Sequence, residues 1–77
     1  MKRKRVSVMA HAGHRGEEYP RSLILDGRVI DITAISSRWI EQDADHKDRR
    51  RCFRVKGSDG HMHLLCCNDV TGDWYLE

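Results

Sequence analysis

In several segments after residue 20, apolar residues alternate with polar ones at a period of two rather than the helical period of about 3.6. That period is typical of β-strands with one buried and one solvated face. An apolar run over residues 23–25 is followed directly by Asp26 and Gly27. Asp-Gly between two apolar runs is a strong signal for a two-residue hairpin turn. The pattern therefore predicts two strands joined by a tight turn at these two residues.

The second of these strands is predicted over residues 28–35, which are rich in β-branched side chains. Within it Ile30 and Ile32 share one face, whereas Ile35 and Trp39 have the opposite parity. We expect a bulge or bend between the two pairs, because an extra residue would return the second pair to the core side.

The rest of the chain predicts three more strands. They span residues 52–56, 61–67 and 73–77, with turns at 57–60 and 68–72 and an exposed polar loop at 41–48. Five strands joined mainly by hairpins predict an all-β fold, a single antiparallel meander in a strongly curved sheet or SH3-like open barrel. We expect Trp39, Phe53 and Trp74 inside it. An alternative for residues 36–42 is a helix of one or two turns packed across an open sheet.

The chain is predicted to divide into a flexible basic N-terminal tail, residues 1–19, and a small β domain, residues 20–77. The tail opens with four basic residues, and its only apolar alternation is Val6-Ser7-Val8. That alternation is compatible with a short edge strand, but a mobile terminus is the more common outcome. Pro20, the only proline, marks the expected start of ordered structure because it favours an extended conformation at the residue before it.

Length and composition narrow the class of protein. A chain of 77 residues makes one small domain. Its apolar runs are far shorter than the ~20 residues that cross a bilayer, and its basic start lacks the apolar stretch of a secretory signal. No association with a membrane is therefore expected.

The three cysteines, Cys52, Cys66 and Cys67, are odd in number, and two of them are adjacent. Adjacent residues of a strand point to opposite faces, and this number and spacing do not match a secreted disulfide framework. We therefore expect reduced thiols and a cytoplasmic location. A thin core without disulfides favours association with a partner or a second copy.

Four features carry a resemblance to a known domain. They are a β run from Gly27 to Trp39, the strand Phe53-Arg54-Val55, a turn with Gly57 and Gly60, and a closing Trp74-Tyr75-Leu76. On these residues the segment 20–76 resembles a small bacterial β domain of uncharacterised function, which is also found appended to the C-terminus of Y-family-polymerase-like mutagenesis proteins. The His- and Cys-rich strand over 61–67 and the basic tail depart from that domain. The resemblance implies a bacterial, cytoplasmic module in a DNA-repair neighbourhood.

Charge is segregated in the middle of the chain. Residues 41–48 carry four acids against one lysine, a net −3, and residues 49–56 carry five basic residues and no acid, a net +5. The five basic residues are Arg49, Arg50, Arg51, Arg54 and Lys56. Such a strand can contact phosphates, so weak nucleic-acid binding is one interpretation. The alternative is that the arginines pair with the acidic segment before them, which suits the overall net charge of only +2.

Histidines and cysteines suggest a possible metal site. His61 and His63 share one face of their predicted strand, and Cys67 lies farther along that face. With His14 from the tail they would make the best zinc ligands in the chain. Their spacings match no standard site, so the alternative is that both strand histidines belong to a solvated face. No cofactor and no metal are predicted, with His61, His63 and Cys67 as the candidates if a metal is bound.

No motif predicts catalysis. The sequence has no paired carboxylates, P-loop or Gly-x-Ser-x-Gly pattern, and nothing places a base beside Cys52. We therefore expect a binding module and not an enzyme. The expected partner is another protein or a second copy of the chain, because short edge strands and thin cores invite pairing. Nucleic acid at the basic strand is the alternative.

Overall fold

A computed structural model of the chain describes residues 3–12, 18–42 and 49–77. The strands in chain order are β1 (Lys4–Ala12), β2 (Glu18–Leu25), β3 (Arg28–Gln42), β4 (Arg49–Gly57), β5 (Met62–Asn68) and β6 (Trp74–Leu76). Each pairs antiparallel with the next, and β6 pairs with β1, so the meander closes into a barrel. The predicted all-β meander is confirmed, with six strands instead of five. None of the described residues forms a helix that could cross a membrane.

The additional strand, β1, comes from the segment that was expected to be a flexible tail. Its first three residues pair with β6, and its remaining residues pair with β2. Val6 is buried in the core, and Val8 packs against that core. β1 therefore corrects the predicted boundary between a tail over residues 1–19 and a domain over 20–77, because the strand pairs with both β2 and β6 and places two valines at the core. Residues 13–17 lie outside the described part.

The predicted turns lie where turn-forming residues occur. Asp26 and Gly27 both have positive φ, 51° and 78°, as a two-residue turn of type I′ requires. The Asp-Gly hairpin prediction is therefore confirmed. The turns predicted at 57–60 and 68–72 are confirmed as well, and Gly60 and Gly72 supply their left-handed residues, with φ of 83° and 78°.

A single apolar cluster fills the barrel. Its buried members are Val6, Leu23, Ile30, Phe53, Val55, Leu65, Cys67 and Trp74. The rings of Phe53 and Trp74 lie tilted against each other with their centroids 5.8 Å apart. The prediction that these two aromatic residues belong to the core is confirmed.

Strand β3 contains two bulges where one was expected. The β3–β4 register shifts first between Ile32 and Ala34, which turns Ile35 toward the core, and again between Ile35 and Ser37. The second shift cancels the first, so Trp39 has the parity of the outer face and is only half-buried. The predictions of a core Trp39 and of a helix over residues 36–42 are therefore wrong.

Hydroxyl groups stabilise both bulges. Thr33 and Ser36 are the extra residues, and each donates its side-chain hydroxyl to a backbone carbonyl of β4, Thr33 to Lys56 and Ser36 to Arg54, both at 3.1 Å. Such bonds replace ladder hydrogen bonds that a bulge disrupts. The segment of β3 from Ile32 to Gln42 is thereby held against β4 across both bulges.

Candidate functional site

Beyond its first four residues, β3 has a strand partner on one side only. β2 pairs with β3 just over residues 28–31, whereas β4 pairs with β3 from Ile32 to Gln42. A strand within a sheet presents hydrogen-bonding groups on two edges. Within the described residues, the edge of β3 over residues 32–42 that faces away from β4 therefore pairs with no strand. We call it the open edge of β3.

A groove lies where β2 and β3 separate, next to this open edge. It encloses about 270 Å³ and is lined by Tyr19, Pro20, Arg21, Ile32, Thr33, Ala34 and Ile35. Tyr19, Ile32 and Ile35 are partly buried and pack against the core, so they form an apolar floor. Arg21, Thr33 and Ala34 are exposed at the rim. The groove therefore combines an apolar floor with unpaired strand backbone.

Arginine is the charged residue type at the groove. Arg21 belongs to its lining, and no carboxylate does. Arg38 lies farther along the open edge and has the same parity as Ile35, since their register partners Phe53 and Val55 are both core residues. Arg21 and Arg38 are exposed, and neither makes an ion pair within the described ranges. The groove and its continuation are therefore electropositive.

Within the described ranges, three of the five residues of the predicted basic strand make ion pairs, and two do not. Arg49 and Arg51 both contact the carboxylate of Asp69, at 3.7 and 2.7 Å, and Arg50 contacts Glu41 at 3.4 Å. Glu41 belongs to the acidic segment that was considered as a neutralising partner. Asp69 comes from the turn after β5, and its contact with β4 was not expected.

Arg54 and Lys56 complete the predicted basic set and differ from the other three. Both are exposed on the outer face of β4, and neither makes an ion pair in the part of the chain that the structure describes. Of the five residues predicted to bind nucleic acid, these two are therefore the ones whose charge no carboxylate offsets.

The outer face of the barrel carries a disulfide. Cys52 and Cys66 are directly opposite residues of β4 and β5, with Cα atoms 4.1 Å apart, and their sulfur atoms are bonded. The expectation of reduced thiols is therefore wrong for this pair, because the strand register brings together two cysteines that are far apart in sequence. Cys67 points to the other face and is buried in the core. A Glu77 carboxylate oxygen lies 3.3 Å from Cys66 Sγ.

The metal candidates are not brought together. The rings of His61 and His63 have centroids 6.5 Å apart, and His63 Nε2 lies 3.0 Å from a carboxylate oxygen of Asp59. Cys67 is four residues farther along β5, about 13 Å at the usual rise of a strand. No cluster of three ligand residues suited to a metal occurs among the described residues. His14 lies outside them.

Asp59 organises the turn between β4 and β5. The backbone N–H of His61 donates to Asp59 Oδ1 at 3.1 Å. This hydrogen bond, followed by the contact with His63, lowers the pKa of Asp59 from its usual 3.8. The Asp59 carboxylate and His63 therefore stabilise the turn between β4 and β5.

The groove residues Tyr19, Arg21 and Ala34 were not identified from the sequence. One available signal was the length of the β run. The residues with strand character continue past the end of the predicted strand at residue 35, so that a strand of 15 residues faces a β2 of eight. A strand nearly twice as long as its neighbour has to extend past it. The open edge follows from that mismatch.

The functional interpretation of the groove and of the basic strand rests on their contacts alone. The resemblance of residues 20–76 to a small bacterial domain stays a prediction, as does the DNA-repair neighbourhood that it implies. The chain matches no family model, no curated protein and no solved structure.

Proposed function

We propose that this protein is a small binding module that takes up an extended segment of a partner protein along the open edge of β3. One observation carries the proposal: β3 continues for eleven residues, 32–42, with a strand partner on one side only among the described residues. Addition of a strand to such an edge is a common mode of peptide recognition. The role proposed is binding and not catalysis.

The groove explains how such a segment would be held. Backbone hydrogen bonds to the open edge give affinity without regard to sequence, whereas pockets for alternate side chains give specificity. An apolar floor of Tyr19, Ile32 and Ile35 supplies one such pocket at the start of the open edge. An extended segment would thus bury one side chain there and pair its backbone with β3.

Two matched variants test the proposal. Ala34→Arg places a bulky charged side chain at the groove rim, and Val29→Arg places the same side chain on an exposed residue of β3 that already pairs with β2. Immobilised wild type and both variants are used to capture proteins from the cells that make this chain. We expect proteins that bind wild type and Val29→Arg but not Ala34→Arg. An identical set of captured proteins for all three would contradict the proposal.

Self-association is an outcome of the same design. If the segment taken up belongs to a second copy, sedimentation of the purified wild type will show a dimer that Ala34→Arg abolishes and Val29→Arg retains. That result would replace the partner protein by a second copy at the same edge. If the wild type and both variants are monomers, the prediction of a homo-oligomer is wrong.

A second candidate function is weak nucleic-acid binding by the outer face of β4. The observation that favours it is the exposure of Arg54 and Lys56 without an ion pair, next to Ser37 and Ala34 in the β3–β4 register. The small neighbours on the β3 side and the exposure of both cations leave them accessible to a phosphate backbone. Alanine substitution of both cations, with the salt dependence of oligothymidine binding as the readout, tests this candidate.

The cytoplasmic location predicted from the cysteines also stays a prediction. Stable disulfides are more common in oxidising compartments, and Cys52 and Cys66 are joined. Cells lysed directly into denaturant that contains an alkylating reagent, followed by mass analysis, test the location, because the denaturant exposes all three buried cysteines. Three alkylated cysteines would agree with a reducing compartment, and one would contradict it.

A further inference from the structure

We infer that the segment bound at the open edge of β3 is acidic, with carboxylates that pair with Arg21 and Arg38. This inference rests on the proposed function, because it specifies the chemistry of the partner at the same edge. Its basis is the distribution of charges that the fold leaves without partners.

Ion pairs within the barrel use about half of the described basic residues. The paired ones are Arg3, Lys4, Arg5, Arg49, Arg50 and Arg51. The remaining ones in the described ranges are Arg21, Arg28, Arg38, Arg54 and Lys56. Among the carboxylates whose side chains are described, only that of Asp31 has no basic partner within 4.0 Å. The charge available to a ligand is therefore mainly positive.

Arg21 and Arg38 are the two available cations that flank the open edge. Arg21 lies at the groove beside Ala34, and Arg38 lies four residues beyond Ala34 on β3. Because Ser36 is the extra residue of a bulge, Ala34 and Arg38 are as far apart as their register partners Lys56 and Phe53, three positions or about 10 Å. Side chains on one face of an added strand recur about every 6.6 Å, and arginine side chains are long and flexible. Carboxylates on alternate residues of a bound segment would therefore reach both arginines.

The chemistry of arginine suits this role. Its planar guanidinium accepts a carboxylate through two parallel hydrogen bonds, which fixes the direction of the partner as well as its charge. The groove lining offers no carboxylate that would compete for Arg21. A basic segment would meet repulsion from both arginines and gain no ion pair in the lining.

Three synthetic octapeptides test the inference. Each has a threonine background with valine at residue 4 and with glutamate, glutamine or lysine at residues 2 and 6, so that valine and the variable side chains share one face. Both ends are blocked. Amide chemical shifts of the full-length protein are followed during titration. We expect the glutamate peptide to shift amides of residues 32–42 and to bind about tenfold more tightly than the lysine peptide. Added salt should reduce this preference.

Variants identify the arginines responsible. The double variant Arg21→Gln, Arg38→Gln should lose the preference for the glutamate peptide. Arg28→Gln, which removes an exposed arginine at the far end of β3, should keep it.

The outcomes separate this inference from the proposed function. Equal binding of all three peptides at residues 32–42 would overturn the acidic partner and leave the edge as a binding site. No shift of those amides with any peptide would overturn both. An oligothymidine that shifts the same amides more strongly than the glutamate peptide would assign the edge to nucleic acid and overturn the inference.

Discussion

Cys52 of β4 and Cys66 of β5 are directly opposite in the register, and a disulfide joins them on the outer face of the barrel. Trp39 continues the same row on β3, and Tyr75 continues it on β6. The two sulfur atoms thus lie between two aromatic residues, and both cysteines are almost fully buried. The disulfide therefore links β4 to β5 on the face of the sheet opposite the core cluster.

Reduction of this disulfide should lower the stability of the fold. The bond closes a loop with a sequence separation of 14, and in the chain-entropy view a loop of that size contributes about 3 kcal/mol. Urea unfolding of the protein with and without a dithiol reductant measures the difference. The double variant Cys52→Ser, Cys66→Ser should resemble the reduced wild type and should not respond to reductant. An unchanged midpoint in protein shown by mass to be reduced would contradict this prediction.

The two tryptophans should differ in their contribution to stability. Trp74 is 6% exposed and contacts the ring of Phe53, so Trp74→Ala should cost ~3–5 kcal/mol. Trp39 is half-buried outside the core cluster, and its Nε1 donates to Glu41 at 3.0 Å, so Trp39→Ala should cost about 1–2 kcal/mol. Urea unfolding measures both. If Trp74→Ala does not fold, the matched pair Trp74→Phe and Trp39→Phe supplies the comparison. An equal or larger loss for the Trp39 member of either matched pair would contradict the assignment.

The sequence predicted the core position of Trp74 correctly and that of Trp39 wrongly, and the turns and bulges explain the difference. The turn at Asp26 and Gly27 was predictable because its two residues are chemically suited to positive φ. One bulge in β3 was predictable from the parity of Ile35. The second bulge, at Ser36, depends on a hydroxyl that reaches the carbonyl of Arg54, and an exposed serine carries no periodic signal for such a contact.

Long-range pairing accounts for the other differences. β1 is held by β2 and β6, whose partners for Val6 and Val8 are Trp74 and Leu23. A basic segment with two valines shows no such partners locally. The disulfide likewise depends on the β4–β5 register, and the open edge depends on where β2 ends. Each of these features requires pairs of residues that sequence periodicity alone does not connect.

Asp59 should make stability depend on pH under acidic conditions. Its pKa is lowered from 3.8, first by the hydrogen bond from the His61 backbone and then by His63. A carboxyl with a lower pKa in the folded state stabilises the fold above its unfolded pKa, and that contribution is lost as the pH falls through the folded value. Stability measured by urea unfolding should therefore fall below pH 3.8, and less so in Asp59→Asn.

A matched variant separates the two causes at Asp59. His61→Ala keeps the backbone N–H that donates to the carboxylate and removes only the weaker charge effect of the imidazole, so it should retain most of the acid dependence of the wild type. His63→Ala removes the side-chain contact and should reduce that dependence in part. Identical acid profiles for wild type and Asp59→Asn would contradict the role of this carboxylate in the turn.

Nucleic-acid binding, if present, should depend on Arg54 and Lys56 rather than on the three consecutive arginines. Arg49 and Arg51 are already engaged with Asp69, so phosphate contacts would have to break those ion pairs. Arg54 and Lys56 are exposed, and no carboxylate in the described residues offsets their charge. The double variant Arg54→Ala, Lys56→Ala should weaken binding of a labelled oligothymidine and lower the slope of log affinity against log salt by about 1.4, because each phosphate contact on a single strand contributes about 0.7.

The matched control removes the same number of charges from the same strand. Arg49→Ala, Arg51→Ala should weaken binding less, because Asp69 already balances one of the two charges and is in contact with both guanidinium groups. Fluorescence anisotropy at low and moderate salt measures both variants beside the wild type. Equal losses for the two double variants would show that only total charge matters and would remove the outer face of β4 as a specific site. No binding by the wild type at low salt would remove the nucleic-acid function itself.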